Sequence, residues 1–216
     1  MAINLNSNNP QCTIPVDVTA LTPENEIVIN LSWNSEPKGF FRILKRSLDL
    51  DLGCYYKLSN GKQMLIDALQ FSKGRGGQRD EYSRQGCYTE PPFIWHTGDD
   101  RSRDDHQLND TGETILINPI GIPMIQKMVI YGFVYGSAPR WNESDARISI
   151  LIPGSEPVII HLDSTESEHN FCVFAQLDFS TLGQLTITRL ATYHHGHKGV
   201  EDTYHWGFNY TPGIKD

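Results

Sequence analysis

Asp49 and Asp51 flank a leucine in the run Leu48-Asp-Leu-Asp-Leu-Gly53. Side chains at i and i+2 of an extended strand share a face about 6.6–6.8 Å apart, so the two carboxylates fall on one side and Leu50 and Leu52 on the other. Like charges on one strand face repel, and a half-buried carboxylate calls for something positive beside it. An arginine, a lysine or a bound cation would serve. A second concentration of acid follows in HTGDDRSRDDHQLNDTGE, residues 96–113. Six acids (Asp99, Asp100, Asp104, Asp105, Asp110, Glu113) stand there against Arg101 and Arg103, a net −4 out of the chain's formal −8. A polar, glycine-containing, carboxylate-rich loop suits Ca²⁺, which takes about 6–8 oxygen ligands in a flexible geometry, better than the stricter Mg²⁺. The spacing is not that of an EF-hand. By composition alone, a solvated acidic loop accounts for the stretch at least as well as a metal site.

The competing chemistry is histidine. His194, His195 and His197, with His205 eight residues on, offer nitrogen ligands near Glu201 and Asp202. On a strand, His195 and His197 would share a face, a usable spacing for a metal-dependent hydrolase. The plainer reading is a turn whose rings cap a sheet edge, and it is preferred. Cys12, Cys54, Cys87 and Cys172 are dispersed with no C-x-x-C pair, which argues against a zinc ribbon or a thiol-redox site and for reduced structural thiols. No nucleophile elbow, phosphate loop or dinucleotide fingerprint is present. A non-enzyme is the expectation.

The elements that must position these groups are strands. Ile27, Ile29, Leu31 and Trp33 alternate onto one face, as do Ala146, Ile148, Ile150 and Ile152, and Leu50, Leu52, Cys54, Tyr56 and Leu58. The run Met128–Tyr135 is apolar on both faces, as a central strand covered on both sides would be. Further strands are predicted at 13–18, 63–69, 93–96, 114–118, 157–162, 171–178, 184–192 and 205–210, with turns at Asn60-Gly61, Pro153-Gly154 and Leu182-Gly183. No long segment carries a 3.6-residue apolar period. The pattern predicts an all-β, two-layer β-sandwich formed by residues 1–216 as a single domain. Residues 72–90 are polar and Gly-rich, and read as an exposed loop insertion. Trp206 and Phe208 are expected to plug the core beside the last strand.

The chain has 216 residues, 38% of them apolar, enough to bury a core without disulfides. Its negative charge argues against nucleic acid and against an anionic membrane. No apolar run approaches the roughly 20 residues of a membrane span. The start, MAINLNSNNPQCT, lacks the basic and apolar regions of a secretory signal, so a cytoplasmic location is expected.

Four segments together resemble the TerD family of bacterial tellurium-resistance and stress proteins: Leu31-Ser-Trp33-Asn, Asp49-Leu-Asp51-Leu, His96-Thr-Gly98-Asp99-Asp100-Arg101-Ser102, and the acidic run to Glu113. Gly136-Ser-Ala138-Pro139-Arg-Trp141 and the tail (Gly196-His197, Asp202, Trp206-Gly207-Phe208, Gly213-Ile-Lys215) resemble its TerA branch. The likeness covers roughly residues 13–215. It implies a TerD-like β-sandwich without catalytic activity, holding Ca²⁺ between the DLD strand and the acidic loop and acting through contacts with other proteins of a resistance complex. The ligands it implies are Asp49, Asp51, Asp99, Asp100 and Glu113, with Asp104, Asp105 and Asp110 as candidates by proximity. Arg101 would pin the loop. Arg103 departs from the family pattern, where glycine is frequent.

Overall fold

The computed structural model describes residues 1–17, 22–33, 48–98, 112–135, 141–162 and 167–211. Among them, thirteen strands form two sheets packed face to face. The strands are β1 (Ile3–Leu5), β2 (Gln11–Pro15), β3 (Ile27–Ser32), β4 (Leu50–Leu58), β5 (Gln63–Asp67), β6 (Gly86–Cys87), β7 (Ile94–His96), β8 (Gly112–Ile117), β9 (Ile125–Val134), β10 (Arg147–Leu151), β11 (Val158–His161), β12 (Phe171–Asp178) and β13 (Gln184–His194). The first sheet runs β1-β11-β10-β3-β8-β7-β6 and the second β2-β13-β12-β9-β4-β5. Apart from the parallel β1–β11 pair, neighbours are antiparallel.

The expected alternation is what closes the sandwich. Ile29, Leu31, Ile115, Ile148 and Ile150 of the first sheet meet Leu50, Leu52, Cys54, Ile130 and Phe174 of the second in one continuous core. Antiparallel pairing with period-two burial is the arrangement these sequences dictate. The second sheet is also covered on its outer face. There Tyr55, Val129, Tyr131, Phe133, Phe171 and Val173 pack beneath Ala68, Val200 and Trp206. This double covering explains why β9 reads as apolar on both faces: Met128 and Ile130 point into the sandwich, and Val129, Tyr131 and Phe133 point out.

The outer cover comes from short helices, α1 (Ala68–Phe71), α2 (Trp141–Ser144) and α3 (Gly196–Tyr204), α1 and α3 lying over this face. The predicted strand at 205–210 is not one. Its backbone is captured by side chains: Gly207 and Phe208 N–H donate to the Glu201 carboxylate at 2.7 and 3.3 Å, and Gln63 Nε2 donates to Trp206 O at 2.6 Å. Trp206 plugs the outer cluster rather than the inter-sheet core, stacked 4.8 Å from Tyr55. Segment 72–90 is largely exposed to Arg84, then enters the first sheet, where Cys87 and Tyr88 are buried and β6 pairs with β7.

Gly53 is set by a close approach. A Cβ there would overlap the Tyr131 ring and come within 2.9 Å of Asp67 Cβ. Gly53→Ala is expected to cost about 1–3 kcal/mol by overpacking, measured as a lower denaturant midpoint at unchanged slope.

Candidate functional site

The predicted strand orientation at Asp49-Leu-Asp51-Leu is borne out. Leu50 and Leu52 are fully buried in the sandwich, and Asp51 lies on the opposite, outer face, also without exposed surface, while Asp49 is exposed. The segment's start is held by Trp33, whose Nε1–H donates to Leu48 O at 3.0 Å. The tryptophan of the LSWN motif therefore anchors the DLD strand.

Glu113 arrives from the other sheet. It occupies an inward position of β8, in the same alternation as Ile115 and Ile117, and pairs across to Leu31. Only 3% of it is exposed. Strand β5 pairs with β4 no further than Gly53–Asp67, so Leu52 has lost its ladder partner on that side. Glu113 Oε2 accepts the Leu52 N–H at 2.6 Å, and His96 Nε2 lies 3.1 Å from Leu52 O. Two side chains of the first sheet thus take the place of a missing strand residue, satisfying a backbone that could not be buried otherwise.

His96 has no solvent exposure and both ring nitrogens are engaged. Gly98 N–H donates to Nδ1 at 3.0 Å, so Nδ1 is the acceptor and Nε2 carries the hydrogen that points at Leu52 O. Glu113 Oε2 stands 3.5 Å from the same Nε2. The turn that returns the amide requires φ +89° at Gly98, a left-handed conformation that glycine adopts without strain. His96 is therefore a positioning group rather than a free ligand. Sequence reasoning missed it, although its place just before the Gly-Asp-Asp turn was a signal.

Of the eight predicted ligands, the structure brings Glu113 to the backbone one residue beyond Asp51 and leaves Asp49 at the strand entrance. Asp99, Asp100, Asp104, Asp105 and Asp110 lie outside the described residues, as does Arg101. Among the described residues no group of three or more histidines, cysteines or carboxylates is placed to hold a metal. Asp51 and Glu113 offer carboxylate oxygen, the donor type that hard cations such as Ca²⁺ take.

The histidines do not converge. His194 ends β13 with Nε2 2.9 Å from Thr192 Oγ1, His195 caps α3 with its ring 4.3 Å from that of His169, and His197 sits 2.8 Å from Asp67. His195 and His197 lie at a helix start rather than on the strand face that the hydrolase alternative needed, and His205 is exposed at the far end of α3. Burial pushes the Cys54 and Cys172 thiols up, away from the thiolate a redox site needs. All four cysteines are unpaired by disulfide.

This is an all-β sandwich with a seam where a glutamate and a histidine of one sheet complete a strand of the other. Comparison with known proteins finds similarity in sequence and in fold. The tellurium resistance protein TerA of an Alcaligenes species is 27% identical over 195 residues, which make up 88% of this chain and 52% of TerA. The chain thus spans about half the length of the curated relative it matches. A solved homologue of the telluride resistance protein TerD from Streptomyces coelicolor A3(2) overlays with a TM-score of 0.49 at 9% identity, covering 82% of this chain and 94% of its own. A second solved structure, of a protein of unknown function, overlays with a TM-score of 0.47 at 11% identity over 80% of this chain and 91% of its own. No family model matches the chain. The chain is similar in sequence to TerA over most of its own length. None of the helices among the described residues is long and apolar enough to cross a membrane.

Proposed function

We propose that this chain is a calcium-binding, non-enzymatic module of a bacterial tellurium-resistance and stress-response system, acting in the cytoplasm through contacts with other proteins. The observation that carries the reading is the burial of two carboxylates: Asp51 on the outer face of β4, and Glu113, which ends the acidic segment 99–113 and reaches from the other sheet to the N–H of Leu52, the residue after Asp51. Asp99, Asp100, Asp104, Asp105 and Asp110 supply the remaining oxygen donors in this proposal. Calcium neutralises part of the segment's net −4 and ties it to the DLD strand. The ordered segment then presents Arg101, Arg103 and His106 to a partner, a local charge event with a wider readout.

Hydrogen exchange across 96–113, compared at micromolar free Ca²⁺ and in EGTA, tests the reading. Protection is expected to rise with calcium, and affinity capture of partners is expected to follow calcium and to fail in Asp99→Ala. Equal protection in the two samples contradicts a switch. At about 100 times its dissociation constant, a ligand bound only to the folded state adds about 2.7 kcal/mol of stability. A calcium-loaded sample is therefore expected to melt higher than one stripped with EGTA.

A further inference from the structure

The outer face of the second sheet carries a further polar assembly, built on Asp67. Asp67 closes β5 with no exposed surface and uses both carboxylate oxygens. Oδ1 accepts the N–H groups of Leu69 and Gln70 at 3.0 and 3.2 Å, and Oδ2 accepts the Tyr131 hydroxyl at 2.8 Å. His197 Nε2 lies 2.8 Å from the same Oδ2. A carboxylate only accepts, so Nε2 is the donor, and Nδ1 is the one polar ring atom His197 has left to offer. An imidazole so oriented by a buried carboxylate is held to one geometry.

His197 forms part of the wall of a cleft of about 830 Å³, within the size range of pockets that hold small organic ligands. The same cleft is lined by Lys73, Arg75, Lys198, His195 and Tyr210, and no carboxylate lines it among the described residues, although the chain as a whole carries −8. Arg75 is anchored at its mouth, with Nε donating to Ser72 O at 3.0 Å and Nη2 to Leu69 O at 2.9 Å. Tyr210 packs its ring 5.2 Å from that of His197, and its buried hydroxyl has no hydrogen-bond partner among the described residues. A local reversal of charge beside an aromatic wall in one cleft is what an anionic organic ligand would answer. Lysine and arginine together are suited to phosphate oxygens.

We infer that this cleft binds a phosphorylated small molecule, with Lys73, Arg75 and Lys198 around the phosphate and His197, positioned by Asp67, as a fixed polar contact in its wall. The full chain is titrated in EGTA with inorganic pyrophosphate and with ADP, by calorimetry at low salt. Saturable binding is expected, weakening with added salt. Lys198→Glu or Lys73→Glu is expected to weaken it at least about tenfold, the equivalent of about 1.4 kcal/mol, whereas Lys62→Glu, outside the cleft, leaves it unchanged. Tighter binding of ADP than of pyrophosphate assigns the Tyr210 wall to an organic group, and equal binding places recognition on the phosphates; both support the site. Absence of binding for both probes at millimolar concentration overturns the inference. So does binding that persists in the Lys73→Glu/Lys198→Glu double variant, since both residues lie on the surface and their exchange leaves the core intact.

Discussion

Asp67→Ala is expected to lower the stability of the whole sandwich by about 3–5 kcal/mol, because several buried donors lose their acceptor at once and each costs about 1–3 kcal/mol. The substitution strands the Tyr131 hydroxyl, the His197 ring nitrogen and two helix-start amides at once. Burial and the neighbouring Asp67 charge push the Tyr131 hydroxyl well above its ordinary range, so it stays a donor and has nowhere else to donate. For a chain of this length each kcal/mol moves the melting temperature by about 2–4 °C. The fall should therefore be about 6–20 °C, read by thermal unfolding. A loss under about 1 kcal/mol would mean that α3 is not held to the sheet by this carboxylate.

Glu113→Ala is expected to cost about 1–3 kcal/mol because the Leu52 N–H, in a fully buried stretch of β4, loses its acceptor. Glu113→Gln keeps an acceptor oxygen at the same reach and is expected to cost much less, while removing a negative ligand. Urea unfolding of the two variants separates the backbone role from the ionic one. Equal losses in Ala and Gln would show that the charge, not the hydrogen bond, holds the seam.

The strands were legible because their burial follows the period of the chain itself. Leu50, Leu52 and Cys54 point inward with Asp51 and Gly53 opposite, and β9 is apolar on both faces because the sheet is covered on both. Helix α3 was not legible. Of its nine residues only Val200 is buried, it contains two glycines, and it is held by His197 on Asp67 rather than by an apolar stripe. Segment 205–210 has the composition of a strand, but Glu201 and Gln63 take the hydrogen bonds a ladder would have used. The roles of Glu113 and His96 at Leu52 depend on where β5 stops, a fact of sheet pairing that no local pattern encodes. Asp67 left a fainter trace, as an aspartate immediately before a short apolar helical run, the position of a helix cap.

In the proposed function the DLD strand and the acidic segment share a calcium ion. A calorimetric titration of Ca²⁺ into the metal-stripped full chain, repeated on Asp51→Asn and Glu113→Gln, tests it most directly. Saturable binding to the unaltered chain is expected, with loss of most of that binding in Asp51→Asn, clear weakening in Glu113→Gln, and no change in His205→Ala. An unaltered chain that takes up no calcium, or an Asp51→Asn variant that binds as tightly as its parent while remaining folded, would contradict it.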